Sequence, residues 1–224
     1  MKRTFTWMML LMLLLTLTAC GAEELESTPE PPRENTRFPS ADAPAKPVIY
    51  LYPEEETDVT VQLDFNGTLT STYPTYNNGW SVTAQPDGTL TDASGREYYC
   101  LFWEGESYVQ YDLSEGFCVA GEDTRAFLEE SLAALGLTDK EANEFILYWL
   151  PQMEHNACNL ISFQTDLYTD NAALTITPAP DSVLRVFMAW MPLDAPVDVE
   201  PQELIPFVRK GFAAVEWGGA QVVR

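Results

Sequence analysis

The sequence predicts an α+β domain built mainly from antiparallel sheet, with a helical hairpin at about residues 123–150 in its middle. Alternating apolar residues and hairpin turn signals fill most of the chain after residue 47, which indicates strands. One stretch between them has the period of two amphipathic helices. The chain has 224 residues, of which 46% are hydrophobic, so enough apolar side chain is present to form a core. We therefore expect one folded domain over residues 47–224.

The first strands are expected directly after residue 47. Residues 48–52 form a compact apolar run, and residues 59–65 alternate between apolar and polar. Asn78-Gly79 and Asp87-Gly88 are turn signals, and the second is a favoured pair in two-residue hairpins. Strands are expected to resume after the helices, at residues 160–164, 174–177, 183–191 and 212–217.

The helical hairpin follows from local signals. Leucines recur at i, i+4 and i+7 over residues 125–135, and Gly136 is expected to end this helix. Thr138 opens the second helix with Glu141 three residues later, which is the capping-box pattern. Pro151 is expected to end it. A connection this short predicts an antiparallel pair packed on one face of the sheet.

The charge of the chain argues against nucleic acid as a partner. Lysine and arginine number 12 and aspartate and glutamate number 34, which gives a formal net charge of −22. Binding to a phosphate backbone depends on basic side chains that displace counterions. A chain this acidic repels that polymer instead.

The N-terminus has the features of a secretory signal. Lys2 and Arg3 precede an apolar run that is shorter than the about 20 residues of a membrane-spanning helix. The run ends in Leu17-Thr18-Ala19-Cys20, which resembles the lipobox of bacterial lipoproteins. The resemblance implies that residues 1–19 are a removed signal peptide and that Cys20 carries the lipid. The membrane is then a partner through that lipid.

Residues 20–46 are expected to form an acidic, proline-rich tether, because they hold few apolar residues that could join a core. The domain would then stand off the cell membrane and face outside the cytoplasm.

Three segments of the folded part resemble a group of uncharacterised bacterial secreted proteins and lipoproteins. They are Lys46–Pro53, Asn143–Pro151 and Glu216–Gly219. The resemblance implies a single domain, and it implies no catalytic residue because no activity is known for the group.

Familiar catalytic motifs are missing from the chain. It has no G-x-S-x-G, H-E-x-x-H, P-loop or G-x-G-x-x-G pattern, and His155 is its one histidine. Cys158 and Glu154 lie close to His155 in sequence, but a polar loop leaving a helix is favoured over a Cys-His dyad or a metal pair. No cofactor is expected.

Two carboxylates next to tryptophan and glycine form the one candidate catalytic pair. They are Glu104, which follows Trp103, and Glu216, which precedes Trp217. Glycosidases use two carboxyl groups that flank the scissile bond, and a nearby indole can stack on a sugar or raise the pKa of the acid. The alternative is that both pairs belong to ordinary packing at strand ends.

Cysteines and acidic loops give two further site hypotheses. Cys100 and Cys118 lie on strand-like segments and could form a disulfide outside the cytoplasm, or both could be buried thiols. Asp194, Asp198 and Glu200 could offer oxygen ligands to calcium, although a solvated acidic face is favoured and no metal site is predicted.

Aromatic residues suggest a function. They cluster over residues 73–80 and 98–111, and strand alternation would expose some of them as a platform for glycans or peptides. Tyr98, Trp103 and Trp217 are the candidate ligand-binding residues. The sequence therefore favours a lipid-anchored binding module, with a cell-wall glycan, peptide or protein as partner, over an enzyme. The alternative is a cell-envelope glycoside hydrolase that uses Glu104 and Glu216.

Overall fold

A computed structural model describes residues 45–223. The signal peptide, Cys20 and nearly all of the expected tether lie outside the described residues. The strands of the described part are β1 (Ala45–Tyr52), β2 (Thr57–Phe65), β3 (Gly67–Tyr73), β4 (Trp80–Ala84), β5 (Leu90–Thr91), β6 (Glu97–Tyr98), β7 (Leu101–Ser107), β8 (Glu115–Ala120), β9 (Cys158–Phe163), β10 (Ala172–Thr177), β11 (Ser182–Leu193), β12 (Glu200–Pro201) and β13 (Ala213–Gln221).

The strands form two sheets. Eight strands pair in the order β12-β8-β9-β11-β13-β1-β7-β3, and five pair in the order β10-β2-β4-β5-β6. Neighbours are antiparallel except for two parallel pairs, β11 with β13 and β12 with β8. The predicted α+β class with mainly antiparallel sheet is confirmed.

The helices are α1 (Thr124–Leu135), α2 (Asp139–Met153) and the short α3 (Asp166–Asn171). Gly136 ends α1 in the left-handed conformation with φ of 98°. Thr138 and Glu141 form the predicted capping box, in which the Thr138 N–H donates to the Glu141 carboxylate at 2.8 Å. The helical hairpin is confirmed. Pro151 does not end α2 as predicted, because the helix runs on to Met153.

Three layers result from this arrangement. The five-stranded sheet packs on one face of the eight-stranded sheet through a core that includes Ile49, Val61 and Trp103. The hairpin of α1 and α2 packs on the opposite face through a second core that includes Phe145 and Trp217. Strands in the middle of the large sheet are therefore covered on both faces.

The two helices are too narrow to cover the whole large sheet. Eight strands span about 34 Å at their usual spacing, whereas two adjacent helices span about 20 Å. The helical core includes side chains from β9, β11, β13 and β1. The end of the sheet formed by β7 and β3 is thus left open beside α2, and the candidate site lies there.

Within the described residues, no helix combines the length and hydropathy needed to cross a membrane.

Candidate functional site

A pocket of about 530 Å³ lies at the open end of the large sheet. We call it the tyrosine pocket, because four of its ten lining residues are tyrosines. The lining residues are Lys46, Val48, Tyr73, Glu97, Tyr98, Tyr99, Cys100, Phe102, Glu104 and Tyr148. Its volume falls within the range of small-molecule sites.

A corner in the chain creates the pocket. β6 ends at Tyr98 in the five-stranded sheet and β7 begins at Leu101 in the eight-stranded sheet, so residues 99–100 cross from one sheet to the other. Consecutive residues of a regular strand point to opposite faces. The crossing breaks that alternation, so that Tyr98 and Tyr99 both line the same pocket.

One carboxylate stabilises the turn before this corner. Asp92 accepts hydrogen bonds from the Ser94 hydroxyl at 2.5 Å, the Ser94 N–H at 2.8 Å and the Tyr98 hydroxyl at 2.9 Å. These bonds favour the ionised carboxylate, with Ser94 as the first cause, and lower the pKa of Asp92 to about 2. The turn also holds the Arg96 guanidinium 5.9 Å from the ring centres of Tyr73 and Tyr98.

The wall of the pocket next to α2 is formed by Lys46 and Tyr148. The Lys46 ammonium lies 5.3 Å from the centre of the Tyr148 ring and 6.0 Å from that of Trp217. The Lys46 backbone N–H donates to Glu104 at 3.1 Å. Lys46 has a φ of 53°, which is unusual for a residue other than glycine.

The base of the pocket borders a chain of hydrogen bonds. The Trp217 indole donates to the Tyr50 hydroxyl at 3.1 Å, and that hydroxyl donates to Glu144 at 2.7 Å. Burial, and then the bond to Glu144, raise the pKa of Tyr50. Burial, followed by the charge of Glu144, raises the pKa of the Cys100 thiol to about 12. The base of the pocket therefore disfavours further negative charge.

The structure does not bring Glu104 and Glu216 together. Glu104 lines the tyrosine pocket on the helix side of the sheet. Glu216 points to the opposite face, where it is 1% exposed, accepts a hydrogen bond from Trp103 at 3.0 Å and pairs with Arg185 at 2.6 Å. A glycosidase needs both carboxyl groups about 5 to 10 Å apart around an open site. The predicted catalytic pair is therefore corrected: Glu216 belongs to a buried ion pair.

Two of the three predicted ligand-binding aromatics belong to the core. Trp103 and Trp217 are fully buried, on opposite faces of the large sheet. Each indole lies in one of the two cores, so neither is available as a platform. Tyr98 does line the tyrosine pocket, as does its exposed neighbour Tyr99.

The structure contradicts a disulfide between Cys100 and Cys118, which the sequence left open. Cys100 precedes β7 and Cys118 lies on β8, and both are free thiols. Four strands separate β7 from β8, which places the two positions about 24 Å apart at the usual strand spacing. A disulfide requires Cα atoms within about 7 Å.

The remaining sequence candidates do not converge on a metal. Asp194, Asp198 and Glu200, the residues of the disfavoured calcium alternative, are all exposed and do not form a group placed to hold a metal ion. No group of three or more His, Cys, Asp or Glu side chains in the described part of the chain is placed to hold a metal ion. Exposed His155 lies 3.9 Å from Glu154, whereas Cys158 is buried.

Sequence reasoning did not identify several of the lining residues as site residues. Notable among them are Lys46, Glu97 and Tyr148. Lys46 and Tyr148 are about a hundred positions apart in the chain, and they meet because α2 packs beside β1. No local signal marks such a contact. The adjacent tyrosines at 98 and 99 were the usable signal, since two neighbouring large aromatics at a strand end fit a corner better than a regular strand.

Comparison with known proteins identifies a relative, but no activity is attached to its description. No protein-family model matches the chain, and no solved structure matches it. A protein of Butyrivibrio fibrisolvens described as "Uncharacterized protein in bglA 3'region" is 49% identical over 74 residues, which cover 30% of this chain and 76% of that protein. The chain therefore belongs to the family of this uncharacterised Butyrivibrio fibrisolvens protein.

Proposed function

We propose that this protein is a lipid-anchored, extracytoplasmic binding protein whose ligand site is the tyrosine pocket. The observation that carries the proposal is the lining: five aromatic rings and a small number of charged groups around one cavity. Binding sites commonly combine an apolar, aromatic wall with a few polar groups that orient the ligand. The proposed ligand class is a cell-wall glycan, peptide or protein segment.

The proposed location rests on the N-terminal sequence. The lipobox-like Leu17-Thr18-Ala19-Cys20 supports anchoring of Cys20 in the cell membrane, and the acidic, proline-rich residues that follow support a tether. In this proposal the pocket faces the envelope outside the cytoplasm. Fractionation of cells that express the full chain tests it: wild type should stay with the membrane, and Cys20→Ala should not.

The binding proposal is tested with wall material. Full-length protein in non-ionic detergent should co-sediment with purified cell wall, and Tyr99→Ala and Tyr73→Ala should weaken this binding. Both side chains are about half exposed, at 53% and 51%, so their removal leaves the core intact. Tyr108→Ala is the matched control, because Tyr108 is 96% exposed and lies outside the pocket. Equal binding by wild type and both pocket variants would contradict the proposal.

A further inference from the structure

The ring faces around the tyrosine pocket already attract the protein's own cations. Arg96 lies over Tyr73 and Tyr98, each at 5.9 Å. Lys46 lies over Tyr148 at 5.3 Å. A cation within about 6 Å of a ring centre is attracted by the negative face of the ring. The faces of these three rings are thus within reach of a positive charge.

The charged groups around the pocket are negative in sum. Glu97 and Glu104 line it, and Glu144 is near enough for its charge to act on Cys100. Against these three carboxylates stand the cations of Lys46 and Arg96. The chain as a whole has a net charge of −22. An anionic ligand would meet repulsion both on approach and in the pocket, whereas a cation would be drawn in.

We propose that the ligand of the tyrosine pocket carries an organic ammonium group, held by aromatic ring faces and neutralised by the carboxylates. This inference rests on the proposed binding function and names the chemistry of the ligand. Aromatic rings combined with carboxylates are the usual means of recognising quaternary ammonium and alkylated amine groups.

The pocket has room for such a group beside the protein's own cations. Its volume of about 530 Å³ exceeds that of a small ammonium compound, and the half-exposed Tyr99 offers a ring at the entrance. Lys46 has a long, flexible side chain, so a ligand can displace its ammonium from the Tyr148 ring. Lys46 is therefore a competitor of a cationic ligand and a repelling charge.

That competition predicts the direction in which a substitution of Lys46 changes the binding affinity. If the ligand is a cation, Lys46→Met should tighten binding, because it removes both the competitor and the like charge. If the ligand were anionic or relied on hydrogen bonds from Lys46, the same change should weaken binding. Lys140→Met is the matched control, since Lys140 is exposed outside the pocket and the change in net charge is identical.

The experiment uses full-length protein in non-ionic detergent and three probes, with binding measured by calorimetry. Choline carries a quaternary ammonium, and 3,3-dimethyl-1-butanol is its neutral isostere. N-acetyl-lysine methylamide carries a primary ammonium on a peptide-like backbone. We expect a cationic probe to bind at least about tenfold more tightly than the neutral isostere, since that factor matches a partly desolvated cation–π contact. Binding should also weaken with added salt.

The choice between choline and the lysine compound identifies the source of the cation. Tighter choline binding supports a quaternary ammonium ligand, and tighter binding of the lysine compound supports an amine of a peptide. Failure of both cationic probes to bind more tightly than the neutral isostere, or weaker binding of the preferred cationic probe after Lys46→Met, would overturn the inference.

Failure of the inference is distinguishable from failure of the proposed function. Wall binding that depends on Tyr99 and Tyr73 but is not reduced by either cationic probe leaves the binding function standing and rejects the ammonium ligand. Absence of pocket-dependent binding to wall material and to all three probes rejects both.

Discussion

The indole nitrogen of Trp103 donates a hydrogen bond to Glu216 at 3.0 Å, although the two residues lie on strands that are separated by β1. The bond runs through the core between the two sheets. Arg185 approaches the other carboxylate oxygen from the next strand, with its Nε at 2.6 Å. Burial opposes the charged guanidinium, but the charge of Glu216 outweighs it and raises the pKa of Arg185. Three strands are thus joined by one buried polar group.

Glu216→Gln should therefore destabilise the fold strongly. The amide could still accept the Trp103 bond, but the Arg185 side chain, 7% exposed, would keep a buried charge without its counter-ion. Loss of one partner of such a pair costs about 3 to 5 kcal/mol. Urea unfolding measures the change in the free energy of unfolding. Glu106→Gln is the control, because Glu106 is exposed on β7, and this variant should stay within about 0.5 kcal/mol of wild type. A similar small effect for both variants would contradict the structural role.

Glu141 should make stability depend on acidic pH. Burial acts to raise its pKa, but hydrogen bonds from Arg209 and the Thr138 N–H lower it overall. A carboxylate whose folded pKa is lowered contributes stability that is present above its unfolded pKa of about 4.3 and is lost as pH falls through the folded value. Urea unfolding from pH 7 to pH 3 should show wild type losing more stability below about pH 4.3 than Glu141→Gln.

The control for this pH experiment is Glu130→Gln, because Glu130 is exposed on α1. Its stability should fall in parallel with wild type across the whole range. The Glu141 prediction fails if Glu141→Gln also follows wild type.

Gly219 should not tolerate a side chain. A Cβ at this position would lie 2.6 Å from the Met188 carbonyl oxygen and 2.7 Å from the Trp149 ring. We expect Gly219→Ala to cost about 1 to 3 kcal/mol and to shift the near-ultraviolet circular dichroism of the buried tryptophan. Gly95→Ala is the comparison, since its Cβ would have no neighbour within 4 Å and only its φ of 82° opposes alanine. An unchanged tryptophan signal in Gly219→Ala would contradict the close packing.

The helical hairpin could be predicted from the sequence because its signals are local. Gly136 and the Thr138–Glu141 capping box lie within a few residues of the ends that they set. Pro151 misled the prediction because a proline removes one hydrogen bond but need not end a helix that is packed in place. The carbonyl that lacks a donor belongs to Leu147, and Leu147 is exposed, so water can take the place of the missing N–H.

The candidate site could be predicted only in part. The sequence indicated Tyr98, but it also indicated Trp103 and Trp217, which are core residues. β13 is buried on both faces, and on β7 the core face and the pocket face both carry an aromatic side chain, Trp103 and Phe102, so alternation could not tell which side chains reach solvent. The order of strands in the sheet is a long-range property, and it decides that Cys100 and Cys118 are far apart.

Cys100 should react very slowly in the folded protein. Alkylation requires the thiolate, and burial followed by the charge of Glu144 raises the pKa of Cys100 to about 12. Relative to an unfolded thiol with a pKa near 8.5, the thiolate fraction at pH 8 falls by about 10³-fold, and labelling by iodoacetamide should slow accordingly. Peptide mass spectrometry reads each cysteine separately. Glu144→Gln should speed labelling of Cys100. Labelling of Cys118 should stay unchanged, because Cys118 lies on β8, which four strands separate from β7 in the large sheet. A peptide that joins Cys100 to Cys118, or labelling of Cys100 at its unfolded rate, would show that this corner of the fold differs from the structure.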